Sequence, residues 1–147
     1  MPDSEFHIRR ARRTDFTVVM QLLAASDVPV PPPDRATLRR FRNIVKDLGG
    51  DFYLAFRGEL LRGLVYATYS RQLAEAPLGR IEQLVVHGEE ATSSATALLD
   101  WIKLRAAKHG CVRMHATDGA VRGVPAASLQ AAGLTVQGDY RSACVVA

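Results

Sequence analysis

The run Arg80-Ile81-Glu82-Gln83-Leu84-Val85-Val86, continued by the polar segment His87 to Thr96 and then by Ala97-Leu98-Leu99-Asp100-Trp101-Ile102, decides how this chain is read. Its first part is a short aliphatic run with the length of a strand, and its last part carries apolar residues at helical spacing. A helix is predicted from about Ser93 to His109, with Ala95, Leu98, Leu99, Ile102 and Ala106 on one face and Gly110 as its stop. A one-sided apolar stripe has to be buried, so the helix packs on the sheet that contains the strand. Cys111 to Ala116 follows as a strand entered after this crossover.

Upstream, Phe52 to Phe56 and Leu60 to Tyr69 are rich in aromatic and aliphatic residues and are separated by Arg57-Gly58-Glu59, a hairpin signal. With Arg80 to Val86 as the third central strand, this part of the sheet is antiparallel. Phe6 to Ala11 reads as an opening strand, and Thr14 or Asp15 can cap a helix whose apolar face is Phe16, Val19, Met20 and Leu23. Pro29-Val30-Pro31-Pro32-Pro33 is a stiff loop, because proline lacks an amide donor and restricts its predecessor. Asp34 caps a second helix, with its buried stripe expected at Leu38, Phe41, Val45 and Leu48 and its end at Gly49-Gly50. Downstream, Pro125 to Ala132 is a short helix stopped by Gly133, and Leu134 to Val146 makes one or two closing strands around Gly138.

This mixture of hairpins and crossovers predicts a three-layer α+β fold, with a mixed, mostly antiparallel sheet of about six or seven strands flanked by about four helices. The 147 residues suit a single domain over residues 1–147, and 48% hydrophobic with 23% charged residues predicts a packed core. No apolar run approaches the roughly 20 residues that span a bilayer, and Met1 to Arg13 leads into no apolar signal segment, so a cytoplasmic location and no membrane partner are expected. Cys111 and Cys144 lie in apolar runs and are expected as buried thiols. The net charge of +4 comes largely from two arginine groups, Arg9 to Arg13 and Arg35 to Arg42. Without interleaved aromatics or a recognised motif, these read as solvated faces, and nucleic acid is not an expected partner. Histidines 7, 87, 109 and 115 show no metal-ligand spacing, so no metal site is expected.

The order of elements and three local motifs resemble the GNAT superfamily of N-acetyltransferases over nearly the whole chain. The hairpin Phe56 to Tyr66, with Gly63 at a small position, looks like the family's second and third strands. Arg80 to His87 running into Ala97 to Ile102 resembles the strand, pyrophosphate loop and helix that hold acetyl-CoA. Pro125 to Leu134 followed by Gly138 is similar to the family's last helix and its terminal Gly-Phe, with Leu134 in place of Phe. The resemblance implies that the free backbone of Leu84, Val85 and Val86 pairs with the pantetheine arm in the manner of an added strand. It also implies that the helix start Ala91, Thr92, Ser93, Ser94, Ala95 and Thr96 receives the pyrophosphate on its open amides.

The chain departs from the family in that loop. The usual glycines are absent, Ala91 and Ser93 put Cβ atoms near the phosphate path, and Glu90 falls near a position that is usually basic. The hydroxyls of Thr92, Ser93 and Ser94 can donate to phosphate in compensation. For transfer to an amine, the resemblance places the base at Glu82, whose other reading is an ion pair with Arg80 or another arginine. The family's tyrosine acid aligns with Leu129, so Tyr140, or else Tyr66 or Tyr69, is the substitute.

Two functions follow as expectations. One is an acetyl-CoA-dependent N-acetyltransferase acting on a primary amine of a small molecule or peptide. The other is a GNAT-fold domain that transfers nothing and serves as an acyl-CoA sensor or protein-binding module, with pairing into a homodimer among its outcomes.

Overall fold

The computed structural model describes residues 6–26, 28–131, 133–137 and 140–145. Its strands are β1 (His7–Arg10), β2 (Gly50–Arg57), β3 (Leu60–Ser70), β4 (Leu78–Val86), β5 (Arg113–Thr117), β6 (Val121–Arg122), β7 (Thr135–Gln137) and β8 (Tyr140–Cys144). Its α-helices are α1 (Phe16–Ala25), α2 (Arg35–Lys46), α3 (Ala91–Lys108) and α4 (Ala126–Ala131). The sheet runs β1-β2-β3-β4-β5-β8-β7, with the two-residue β6 paired to β4 off that path. The pairs are antiparallel except β4–β5 and β4–β6, which are parallel. The α+β class, the mixed sheet and the helix count expected from the sequence are all present.

The middle of the sheet is covered on both faces, which is why Phe52 to Phe56 reads as one unbroken apolar run. On one face Ala55, Val65, Leu84 and Val86 meet Ala95, Leu98, Leu99 and Ile102 of α3, with Leu129 of α4 in the same cluster. On the other, Leu54, Leu64 and Val85 meet Val19 and Leu22 of α1 and Phe41 of α2. Gly63 sets how closely α3 lies on the sheet. A methyl group on it would stand 2.9 Å from Cδ1 of Leu98 and from Cγ1 of Val86.

Asp34 caps α2 as expected, its carboxylate accepting 3.0 Å from the amide of Thr37. The buried stripe differs from the one predicted. The helix ends at Lys46, so Leu48 lies beyond it and is 88% exposed, while Thr37, Phe41, Ile44 and Val45 line the inner face. Gly50 is the first residue of β2 rather than part of a helix stop. Asp15 precedes α1 without a side-chain cap; its carboxylate instead closes the preceding turn on the amide of Arg12 at 2.7 Å and takes the guanidinium of Arg9 at 2.8 Å. Cys111 is buried, whereas Cys144 is exposed at the end of β8, in contrast to the expectation of two buried thiols. Gly138 lies outside the described residues.

Candidate functional site

The site is built on an irregularity in β4. Ile81 pairs with Ala67 and Gln83 with Tyr66, which leaves Glu82 as an extra residue, a β-bulge. Ile81 and Leu84 face α3, so the bulge turns two consecutive polar side chains, Glu82 and Gln83, toward the opposite face. The parallel pairing of β4 with β5 ends at Ile81↔Ala116, immediately before the bulge. The irregular residue thus presents polar groups at the point where the β4–β5 pairing ends.

Two hollows open on that face. An apolar cavity of about 280 Å³ lies under α1 and α2, with Phe16, Met20, Phe41 and Phe52 in its wall and Thr37, Arg40 and Gln83 as polar members. A polar cleft of about 390 Å³ is lined by Arg80, Ile81, Glu82, His115, Ala116 and Thr117. Oε1 of Glu82 accepts a 2.7 Å hydrogen bond from the hydroxyl of Thr68. Among the described residues Glu82 makes no ion pair with Arg80. Burial, followed by the positive charges of Arg113 and Arg80, pushes the His115 imidazole below its usual value, which favours its neutral form. The sequence reading weighed His115 only as a metal ligand. The signal that finds it is period-two alternation: once β5 is placed beside β4, Arg80 lies opposite His115 in register.

The tyrosines separate. Tyr69 lies on the α3 side and donates 2.7 Å to the buried carboxylate of Asp51. Tyr66 lies on the Glu82 side, packed on Phe52, its phenol pushed up by burial and by the charges of Asp47 and Glu82. Tyr140 is opposite Thr117 in the β5–β8 register, and its side chain lies outside the described residues. Leu129 is buried in the core.

At the start of α3 the predicted residues are divided. Ser94 is fully buried and its hydroxyl is turned back onto the carbonyls of Glu90 and Ala91, and Ala95 is buried beside it. Thr96 donates to the carbonyl of Thr92 at 3.0 Å. The amide of Ala91 is bonded to Gly88, which leaves exposed Thr92 and Ser93 as the outward-facing part of the first turn. Glu90, the N-cap residue, is drawn aside by Arg57 at 3.0 Å and Arg62 at 3.8 Å. Its negative charge is therefore matched locally.

Leu84, Val85 and Val86 are buried. Leu84 and Val85 pair with Val65 and Leu64 on one side and with Val121 and Arg122 of β6 on the other. Gly123, at φ +80°, lies so close to Val86 that a Cβ there would run into the Val86 carbonyl. β6 thus occupies the edge of β4 beyond the β5 pairing. No three His, Cys, Asp or Glu residues are grouped as metal ligands among the described residues, and no described helix is long and apolar enough to cross a membrane.

No protein-family model matches the chain, and no curated protein matches it in sequence. Solved structures match it in fold. An aminoglycoside 6'-N-acetyltransferase from Enterococcus faecium is 12% identical, with a TM-score of 0.70 over 96% of this chain and 98% of that one. A protein from Desulfovibrio desulfuricans assigned to the GNAT family is 14% identical, with a TM-score of 0.70 over 96% and 99% of the two chains. A transcriptional regulator from Bacillus halodurans is 23% identical, with a TM-score of 0.65 over 77% and 81%.

Proposed function

The chain has the fold of the GNAT acetyltransferases, and on it we propose an N-acetyltransferase that takes its acyl group from acetyl-CoA and delivers it to a primary amine of a small molecule or peptide. The observation that carries this reading is the bulge at Glu82, which lies where the β4–β5 pairing ends and lets Glu82 and Gln83 line two hollows. The apolar cavity suits the body of an acceptor. In the cleft, Glu82 and neutral His115 are the groups able to hold the proton that an attacking amine must lose.

For the donor, the two ends of the site differ. The exposed first turn of α3, with Glu90 neutralised by Arg57 and Arg62, suits a diphosphate. The pantetheine arm does not fit while β6 is in place, because Val121 and Arg122 hold the same edge of β4 that the arm would use. A two-residue strand is held by few hydrogen bonds, on the order of 1–3 kcal/mol in all. Displacing it would weaken donor binding by roughly 5- to 150-fold.

That same pairing favours a second reading, in which β6 never leaves and the domain transfers nothing. Calorimetric titration with acetyl-CoA and coenzyme A, on the intact chain and on a variant lacking residues 119–122, separates the two. Weak binding that tightens at least fivefold in the shortened variant, with thiol release on addition of amines, supports the transferase. No heat from either protein at millimolar ligand, both being folded by circular dichroism, rejects it in favour of the inactive module.

A further inference from the structure

We propose that the outer face of α2 docks the phosphate backbone of nucleic acid without reading its base sequence. The sequence alone did not favour such a partner, because its arginine groups carry no interleaved aromatics and no recognised nucleic-acid motif. Arg35, Arg39, Arg42 and Lys46 are spaced four, three and four residues apart, which places them on one side of α2 in a row about 16 Å long. All four are exposed, and with Leu38 and Asn43 they line one surface groove of about 470 Å³.

No ion pair among the described residues engages this row. The helix contains no acidic residue. The acids at either end are engaged on backbone amides, Asp34 on Thr37 and Asp47 on Gly49. The opposite side of the helix is already committed to the sheet through Phe41, Ile44 and Val45.

The chemistry of the groove selects its occupant. A protein partner needs aromatic or aliphatic anchors at the centre of the contact, and here the groove offers only half-buried Leu38. A lipid surface is held firmly only where apolar side chains insert beside the cations, and the groove offers Leu38 alone for that. A phosphate backbone requires only guanidinium and ammonium donors in a row. No aromatic side chain lines the groove, so bases have nothing to stack on and binding is sequence-independent.

Fluorescence anisotropy with a labelled DNA duplex of about 20 base pairs and mixed sequence tests this. Four phosphate contacts give a slope of log K against log salt near −3.6, a loss of about 150-fold between roughly 50 and 200 mM salt. The double variant Arg39→Gln/Arg42→Gln should halve that slope, and Arg39→Glu/Arg42→Glu should abolish binding, with thermal unfolding of the Gln pair confirming an intact fold. Absence of binding at 50 mM salt overturns the proposal. So does binding indifferent to the Gln pair, or equally strong competition by polyglutamate or by phosphatidylserine vesicles, which would assign the groove to an acidic peptide or to a lipid surface.

Discussion

Glu82, the extra residue of the β4 bulge, accepts at Oε1 a 2.7 Å hydrogen bond from the hydroxyl of Thr68 on the neighbouring strand β3. Thr68 thereby orients Glu82 over the cleft that it shares with His115. If amine transfer proceeds there, Glu82→Gln should lower kcat/KM by about 10²- to 10⁴-fold with the fold intact. The pH profile should carry a limb from His115 whose midpoint lies below 6.5, since burial and the neighbouring arginines disfavour its protonated form. The rate falls on the acid side of that limb, and His115→Asn should remove it. An unchanged profile in His115→Asn would count against its role.

Asp51, 1% exposed at its side chain, accepts from Tyr69 at 2.7 Å and Arg10 at 3.1 Å, with His109 Nε2 3.3 Å away and Arg105 3.4 Å away. It ties β1, β3 and the end of α3 to the start of β2. Burial, and then Asp51 itself, push the Tyr69 phenol well up, so it remains a donor at working pH. Asp51→Asn should cost about 3–5 kcal/mol, because cations gathered around one carboxylate lose it together. Tyr69→Phe removes one bond to a charge and should cost about 1.5–3 kcal/mol. Urea unfolding midpoints measure both, and a larger loss for Tyr69→Phe would contradict the central role of Asp51.

The Arg9–Asp15 pair gives a pH test with a definite sign. The hydrogen bond from Arg9 holds the Asp15 carboxyl below its ordinary 3.8, against the opposing effect of burial. A lowered folded value means stabilisation that is complete above about 3.8 and is lost as the pH falls through the folded value. Denaturant unfolding of the native chain and of Asp15→Asn should differ by about 1–2 kcal/mol at pH 7. The difference should close in acid; one that widened in acid would reverse the assignment.

On α2, Phe41 is 7% exposed and Leu48 88% exposed. Phe41→Ala should therefore cost about 3–5 kcal/mol and Leu48→Ser less than about 0.5 kcal/mol. Unfolding midpoints that placed the two together would mean that Leu48 is covered in solution by something else.

The legible part of this protein was its local periodicity. Apolar spacing at Ala95 to Ala106, the Arg57-Gly58-Glu59 turn and the Asp34 cap each act within a few residues, so the elements and their order followed. Leu48 was misjudged because helix ends are set by capping competition over one turn, which apolar spacing does not reveal. Glu82 was named as a candidate base through the family resemblance and its neighbour His115 was not, because the two meet only through the pairing of β4 with β5.

The amino-acid sequence by itself determined the fold class, since burying one face of each amphipathic element leaves few ways to layer these helices on this sheet. Only the tertiary structure decided which groups share a site. The bulge that turns Glu82 and Gln83 to one side is a difference of register between strands, and β6 is an added pairing beside β4 by residues about 37 positions downstream. Both depend on hydrogen bonds between segments distant in the chain, whose geometry no local pattern of residues encodes.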